Sequence, residues 1–292
     1  MLDALRAGAD LALLPDSLTL GAVTLRSRDP ERLLPFYRDA LGLAVLSHSA
    51  DHLVLGAGGR ALVEIVRALD APIPPARAPG LFHLAIRVPD RAALADRLVA
   101  IHRFGGRLGA SDHLVSEALY VDDPDGNGIE IYRDRPRSDW PRNPDNSIAM
   151  ATLPLDLSAL LREAAAAPAS APDGTDMGHV HLKVGDLDAA RHFWVDLVGF
   201  EVMARYPGAL FVSAGGYHHH LGLNAWQSGG SAPPPKGACG LDAFAVTVPE
   251  GDLDALAARL SAAGWPYTRA GASLTVADPS GNTAVFSAGT AG

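Results

Sequence analysis

The sequence contains a single cysteine, Cys239, in 292 residues. One thiol can form neither an intramolecular disulfide nor a thiolate metal cluster. Because chains without disulfides are typical of reducing compartments, we predict a cytoplasmic location. The N-terminus agrees with this prediction, since Asp3 and Asp10 fall where a signal peptide would have a basic start and an uninterrupted apolar run.

The sequence also lacks an excess of basic residues and any long apolar run. Its formal net charge is -9, from 24 Lys and Arg against 33 Asp and Glu, so it would repel a phosphate backbone and nucleic acid is excluded as a partner. No run reaches the about 18 apolar residues that a membrane-spanning helix requires. With 48% hydrophobic and 20% charged residues, the chain is predicted to be a folded globular protein.

Two halves of the sequence resemble each other. Residues 29 to 43 read DPERLLPFYRDALGL and residues 186 to 200, 157 positions later, read DLDAARHFWVDLVGF. In the same register, GAGG at 56 to 59 corresponds to SAGG at 213 to 216. Such self-similarity determines the architecture more directly than any short motif.

A second similarity divides each half again. Residues 80 to 90, GLFHLAIRVPD, resemble residues 240 to 250, GLDAFAVTVPE, and DPDGN at 123 resembles DPSGN at 278. Each quarter begins with an alternating apolar stretch, continues through a helical stretch, and ends in short segments bounded by glycine or aspartate turns. The sequence therefore predicts an α+β fold of four βαβββ modules.

These modules are expected in two domains joined by a linker. The modules cover about 18–67, 80–135, 177–226 and 240–287. We predict a first domain at 1–150, a connecting segment and linker at 151–176 that ends in AAAAPASAPDGTD, and a second domain at 177–292.

Superposing the modules reveals an asymmetric set of polar residues. On the first strand, modules two and three carry His83 and His179, whereas the other two modules carry alanine. On the last strand, module two carries Glu130, which module four replaces with Val285. The middle modules are therefore the candidates for a shared site.

The strand period predicts which way these residues face. Since alternate side chains point to opposite faces, Phe82 should lie behind the sheet and His83 in front, together with Glu130, His179 and His181. Two imidazoles and one carboxylate are typical of non-haem Fe(II) sites and also suit Mn(II), while Ni and Zn stay open from the residues alone. We predict that His83, Glu130 and His179 bind one divalent metal ion.

Further candidates lie close to these residues. His113 and Tyr120 precede Glu130, and the even spacing of Tyr120 and Glu130 allows both to border one pocket.

The run GGYHHHLGLN supplies one more candidate. Its three histidines cannot all face one way on a strand. Matching Glu64 to Leu221 places His219 and Leu223 on the site face, with His218 and His220 opposed. His219 is the candidate proton shuttle.

The chain resembles the catechol 2,3-dioxygenase-like branch of the vicinal oxygen chelate superfamily, which includes glyoxalase I and bleomycin-resistance proteins. The resemblance covers nearly the whole chain and is carried by GLFHLAIRVPD, DHLVSEALYVDDPDGNGIEIYRDRPRSDW, GHVHLKVGDLDAARHFW and ALFVSAGGYHHHLGLNAW. It implies glyoxalase/extradiol dioxygenase-like domains with curved mixed sheets.

The resemblance also implies extradiol cleavage of a catechol-type aromatic diol by O₂, with Fe(II), or in some members Mn(II), as cofactor. His83, His179 and Glu130 match the family's ligands, and His219, His113 and Tyr120 match its acid-base and substrate-binding groups. Known two-domain extradiol enzymes hold the metal within the C-terminal pair of modules. Here the site must join modules two and three, and pairing only as one-two and three-four would split it.

Two other functions fit the same resemblance. A glyoxalase-like isomerase or lyase would use the metal without consuming O₂, and a resistance-type binding protein would bind a small molecule without metal or catalysis. The sequence is compatible with a homo-oligomer and does not fix the particular catechol.

Overall fold

The computed structural model describes residues 13–145, 147–165 and 170–289. The N-terminal segment with Asp3 and Asp10, and residues 166–169 of the predicted linker, lie outside the described residues. Among the helices that the structure describes, none is long and apolar enough to cross a membrane.

The described residues contain sixteen strands, four in each module. In the first half these are β1 (Thr19–Ser27), β2 (Ala44–His48), β3 (His52–Ala57), β4 (Arg60–Arg67), β5 (Gly80–Arg87), β6 (Gly109–Asp112), β7 (Ser116–Asp122) and β8 (Gly128–Asp134). In the second half they are β9 (Asp176–Lys183), β10 (Glu201–Tyr206), β11 (Ala209–Ser213), β12 (Leu221–Asn224), β13 (Gly240–Val248), β14 (Tyr267–Ala270), β15 (Ser273–Ala277) and β16 (Thr283–Ala288).

A helix follows the first strand of every module. The helices are α1 (Pro30–Pro35, continued by a π-helix Phe36–Ala40), α2 (Arg91–Phe104), α4 (Leu187–Arg191, continued by a π-helix His192–Val198) and α5 (Glu250–Ala262). The connecting segment adds a 3₁₀ turn at Arg137–Asp139 and the short helix α3 at Leu157–Leu161. The predicted βαβββ order is confirmed in all four modules.

The helix of module two shows how local sequence sets an element's ends. The carboxylate of Asp90 accepts a hydrogen bond of 2.8 Å from the backbone N–H of Ala93, which satisfies a free donor of the first turn. The helix ends at Gly105, whose φ of 90° is a left-handed conformation that favours glycine.

The strands form two eight-stranded mixed sheets, and each sheet draws on both halves of the chain. One sheet has the order β14-β15-β16-β13-β1-β4-β3-β2 and the other β10-β11-β12-β9-β5-β8-β7-β6. Module one therefore pairs with module four, and module two with module three. The division into 1–150 and 177–292 describes the order of modules along the chain, whereas neither sheet is confined to one half.

Equivalent aromatic residues tie the two sheets together. The hydroxyl of Tyr37, in the first sheet's module one, donates to Asp123 of the second sheet's DPDGN turn at 2.9 Å. In the other half, the indole N–H of Trp194 lies 3.3 Å from Asp278 of the DPSGN turn. Both rings are completely buried in an apolar core that includes residues of both sheets. The repeated aspartates thus anchor the sheets to one another.

The sheet order predicts that the two halves cannot fold separately. Alone, each half would leave the central strands β1 and β5, or β9 and β13, without their antiparallel partners, and exposed strand edges promote aggregation. Expressed singly, residues 1–165 and 166–292 should be insoluble or unfolded by circular dichroism. Co-expressed, they should co-purify as a one-to-one complex. Two halves that are each folded monomers would contradict this topology.

Candidate metal centre

The three predicted ligands lie together on adjacent central strands of the second sheet. His83 is on β5, Glu130 on β8 and His179 on β9. Nε2 of His83 and Nε2 of His179 each lie 3.0 Å from Oε2 of Glu130, and one ligand atom from each residue falls within 4.8 Å of the others. All three side chains are buried. Modules two and three thus bring their polar residues to one point.

The charge state of this cluster suits a metal. Burial lowers the pKa of His179 to about 4, although Glu130 opposes that shift. Burial alone would raise the pKa of Glu130, but His179 and His83 together hold it well below its ordinary range. At neutral pH the cluster therefore contains a carboxylate and an uncharged His179 imidazole, the protonation states that metal ligands require.

A bound cation explains the arrangement of His83, Glu130 and His179 better than hydrogen bonds among the three side chains do. Within the described ranges, Nε2 of His83 has no hydrogen-bond partner of acceptable geometry despite lying close to Glu130. A buried carboxylate is costly unless it is paired or coordinates a metal, and the uncharged His179 imidazole supplies no compensating charge. Two imidazoles and one carboxylate match the facial ligand set of divalent transition metals. The residues present therefore fit a bound metal ion.

Two members of the cluster, His83 and Glu130, line a cavity of about 720 Å³. The apolar and aromatic lining comes from Phe82, Phe211, Trp226, Ile148, Met150 and Met203. The segment that follows module two also lines the cavity, through Asn143, Asp145, Ser147, Ile148, Met150, Ala151 and Thr152. This segment belongs to a small buried cluster with Val115, Trp140 and Tyr217. The cavity is large enough for a small aromatic molecule.

His113 and Tyr120 both line this cavity and contact each other. Nδ1 of His113 lies 2.7 Å from the carbonyl oxygen of Ala151, so that nitrogen is the donor. Its Nε2 then accepts from the Tyr120 hydroxyl at 2.7 Å. Tyr120 is paired with Glu130 across β7 and β8, and burial, reinforced by the Glu130 charge, raises its pKa well above the ordinary value.

The three consecutive histidines point in three directions because they lie in the turn between β11 and β12, not in a strand. His219 lines the cavity, and its ring stacks on His179 at a centroid distance of 4.1 Å. His218 turns inward to Asp134 at 2.8 Å. His220 contacts the Ser213 hydroxyl at 2.8 Å. Burial lowers the pKa of His219 well below its ordinary value, so its ring is uncharged at neutral pH.

Two expectations about strand faces are wrong. Phe82 lines the cavity beside His83, because a register shift between Leu81 and His83 interrupts the alternation of β5. Leu223 lies in the core, because Glu64 corresponds to Gly222 and not to Leu221: Glu64 is opposite Thr24, and Gly222 opposite His181, in the parallel strand pairs. The choice of His219 thus rested on a register displaced by one residue.

The first sheet carries an incomplete copy of the centre. Glu64 on β4 is opposite Thr24, as Glu130 on β8 is opposite Ala85, so the two carboxylates occupy equivalent positions. Alanines replace both histidines, and Glu64 instead pairs with His52 at 3.0 Å. Both of these side chains are partly exposed to solvent, where a carboxylate needs no cation.

His181 is a cavity residue to which the sequence analysis gave no role. Its ring is buried among those of Phe82, His83, Phe211 and Trp226, at centroid distances of 4.9 to 5.7 Å. Its Nε2 is buried without a hydrogen-bond partner in the described part of the chain. The sequence could have indicated a place for His181 in the site, because the strand period predicts that it faces the same side of the sheet as His83, Glu130 and His179.

The chain belongs to the Glyoxalase/Bleomycin resistance protein/Dioxygenase superfamily, which it matches over residues 19–131 and 176–286. It is 41% identical over 266 residues to a catechol-2,3-dioxygenase of Bacillus subtilis (strain 168), covering 89% of this chain and 93% of that protein.

Two solved structures share the fold. One is a protein of proposed dioxygenase activity from Bacillus subtilis subsp. subtilis str. 168, with a TM-score of 0.65 and 15% identity, covering 92% of this chain and 84% of that one. The other is glyoxalase I from Zea mays, with a TM-score of 0.57 and 17% identity, covering 93% and 92%.

Because the described residues offer Nε2 of His181 no hydrogen-bond partner, we expect that replacing this residue will not lower the free energy of unfolding as loss of a buried polar group usually does. Replacing it with phenylalanine removes a buried polar group without breaking a hydrogen bond, so the free energy of unfolding should change by less than about 1 kcal/mol or rise. The matched control is His218→Phe, which leaves Asp134 and His219 without their partner and should destabilise by about 2 kcal/mol or more. Urea unfolding measures both. Equal losses would show that His181 has a structural hydrogen bond.

Proposed function

We propose that this protein is a metal-dependent extradiol dioxygenase that cleaves a catechol-type ring with O₂. The observation that carries the proposal is the buried cluster of His83, Glu130 and His179, two of whose members line a cavity together with His219 and Tyr120. The 41% identity to a protein named catechol-2,3-dioxygenase supports the same activity. We also propose a cytoplasmic location, with an aromatic diol and O₂ as the reactants.

His83, Glu130 and His179 would hold Fe(II), with Mn(II) as the second choice. An ion held there would act as a Lewis acid that favours the deprotonated form of a catechol hydroxyl, and it would supply the redox chemistry that a reaction with O₂ requires. Glu130 contributes the negative charge that offsets part of the ion's charge. Because the three ligands stand on neighbouring hydrogen-bonded strands, their spacing is held by the sheet itself.

His219 would accept a proton from a substrate hydroxyl and later return it. Its ring lies against His179 and lines the cavity, so it is close to any molecule bound at the cluster. The low pKa keeps the ring uncharged and able to accept a proton.

Tyr120 and His113 would orient the substrate from the side of Glu130. Their mutual hydrogen bond, and that of His113 to Ala151, hold both groups in place before a substrate arrives. We propose that, when substrate binds, the Tyr120 hydroxyl turns its proton from His113 to a bound oxygen atom where negative charge develops, which leaves Nε2 of His113 able to accept from a substrate hydroxyl. The rings of Phe82, Phe211 and Trp226 provide flat apolar contacts for the aromatic ring and exclude water from it.

The decisive experiment measures metal and oxygen on one sample. Anaerobically purified protein should contain about one Fe or Mn per chain and should consume O₂ when catechol is added. Glu130→Gln and His83→Ala should lose both properties, because each removes a ligand. The matched control is Glu64→Gln at the equivalent position of the first sheet, which should retain both.

Each other outcome contradicts a specific part of the proposal. Metal without O₂ uptake on a panel of catechols would indicate a glyoxalase-like isomerase or lyase. Protein without metal would indicate a small-molecule-binding protein.

A second variant separates proton transfer from metal binding. His219→Gln should keep the metal content of the wild type and lower kcat by about 100-fold or more, because a positioned acid-base group contributes about that much. The control His220→Gln changes a neighbouring imidazole that contacts Ser213 outside the cavity and should retain most activity. A loss of metal in His219→Gln would instead assign this residue a role in metal binding.

A further inference from the structure

His219 is the cavity end of a buried chain of hydrogen bonds. Its Nδ1 lies 2.7 Å from Nδ1 of His218, and Nε2 of His218 lies 2.8 Å from Oδ1 of Asp134. His218 is completely buried, and Trp140 packs against its ring. Because water does not reach His218, the hydrogen bonds within the chain decide where its protons lie.

The far end of this chain can only accept protons. Oδ2 of Asp134 accepts from the Tyr217 hydroxyl at 2.9 Å and from the Arg87 guanidinium at 3.1 Å. Burial alone would raise the pKa of Asp134, but its hydrogen bonds from His218 and Tyr217 and the charge of Arg87 lower it, so the carboxylate is ionised. An ionised carboxylate offers no donor, so Nε2 of His218 must carry the proton in its contact with Oδ1.

The proton positions then follow one another along the chain. Arg87 already places a positive charge against Asp134, so one ring proton on Nε2 of His218 is enough to complete the hydrogen bonds of this carboxylate. With that single proton, Nδ1 of His218 is bare and can only accept. Nδ1 of His219 is then the donor, and Nε2 of His219 is bare. The described residues offer that atom no hydrogen-bond partner.

We propose that Asp134 and His218 are positioning residues that hold His219 in the tautomer with its proton on Nδ1 and its unprotonated Nε2 available to the cavity. The nitrogen that is protonated in a histidine is set by the hydrogen bond that the other nitrogen makes. The chemical consequence rests on the proposed function: a bare Nε2 can accept a proton from a substrate hydroxyl, and a protonated one cannot.

One strand connects this chain to the metal cluster. Glu130, Tyr132 and Asp134 alternate along β8 and so project from the same face. The Tyr132 hydroxyl lies 2.6 Å from that of Tyr217, which donates to Asp134. The position of the carboxylate that directs His219 is therefore set by the strand that also presents the ligand Glu130.

The tautomer can be measured directly in the intact protein. We would label histidines with ¹⁵N, load the protein with diamagnetic Zn²⁺ and record two-bond ¹H–¹⁵N correlations at neutral pH, assigning His219 by comparison with His219→Gln. The expected result is a protonated Nδ1 and an unprotonated Nε2 on His219. A proton on Nε2 of His219, as when a cationic His218 donates in the reverse direction, would overturn the proposal without any variant.

Asp134→Asn should reverse the chain. Arg87 and Tyr217 both donate to the Oδ2 position, so the amide oxygen should occupy it and turn the NH₂ group toward His218. Nε2 of His218 then accepts, its Nδ1 donates, and the proton of His219 moves to Nε2. The matched control is Asp176→Asn, which removes the same charge from the other acid of Arg87 and should leave the His219 tautomer unchanged. An unchanged tautomer in Asp134→Asn contradicts the proposal.

Kinetics and metal content complete the test. In Asp134→Asn we expect kcat to fall by about 100-fold or more, as for loss of a general base, with KM and metal content near the wild-type values. A general loss of structure would instead lower the melting temperature and the metal content together. If the wild-type protein shows no oxygen uptake, the proposed function fails, while the ¹⁵N measurement still decides the role of Asp134 and His218.

Discussion

The antiparallel pairing of β5 with β9 is the interaction on which the candidate site depends. It places Ala85 opposite His179 and His83 opposite His181, and the parallel pairing of β5 with β8 places Glu130 opposite Ala85. All three proposed ligands thus come from neighbouring strands at the centre of a sheet. Had module two paired with module one, β5 would lie beside β1 and His179 would be absent. The centre exists because the chain pairs its inner modules with each other and its outer modules with each other.

The same geometry without the same residues produces no centre in the first sheet. There β1 and β13 pair as β5 and β9 do, with Thr24 opposite Ala243, and Glu64 stands where Glu130 stands in the other sheet. Yet Glu64 is partly exposed and paired with His52, whereas Glu130 is 3% exposed. At the second sheet, Ile148 and Met150 of the segment after module two also line the cavity. Chemistry therefore depends on the side chains and on this lining segment, and not on the fold alone.

Much of the fold could be predicted from the sequence, because the repeats reveal the modules and the strand period reveals the faces. The period predicted His83, Glu130 and His179 on one face, because the pairing from His83 to Ala85 with His181 to His179 is uninterrupted between the two shifts, as is β8 around Glu130. It failed at Phe82, where a register shift in β5 interrupts the alternation. It selected His219 from an alignment of the modules that was displaced by one residue. The histidine run lies in a turn, to which strand alternation does not apply.

Sequence patterns could not predict the contacts between residues that are far apart along the chain. Nothing in the spacing relates Asp134 to His218, which are 84 positions apart and meet only because β8 and the turn after β11 belong to one curved sheet. The same holds for the Tyr37 contact to Asp123, whose repetition as Trp194 and Asp278 becomes meaningful only when the sheets are seen together. Periodicity describes one strand at a time, whereas these contacts depend on strand order.

The concentration of buried polar groups explains why metal binding and folding should be coupled in this protein. Glu130 carries a charge in the interior, and both His83 and His181 have a buried nitrogen to which the described residues offer no hydrogen-bond partner. Such groups oppose folding, and the apolar core and the sheet hydrogen bonds must compensate for them. A ligand that binds only the folded state stabilises that state. Because Glu130 and His83 stand on central strands, a bound cation that satisfies them would stabilise the sheet as a whole, and the residues that serve the chemistry would then cease to weaken the fold.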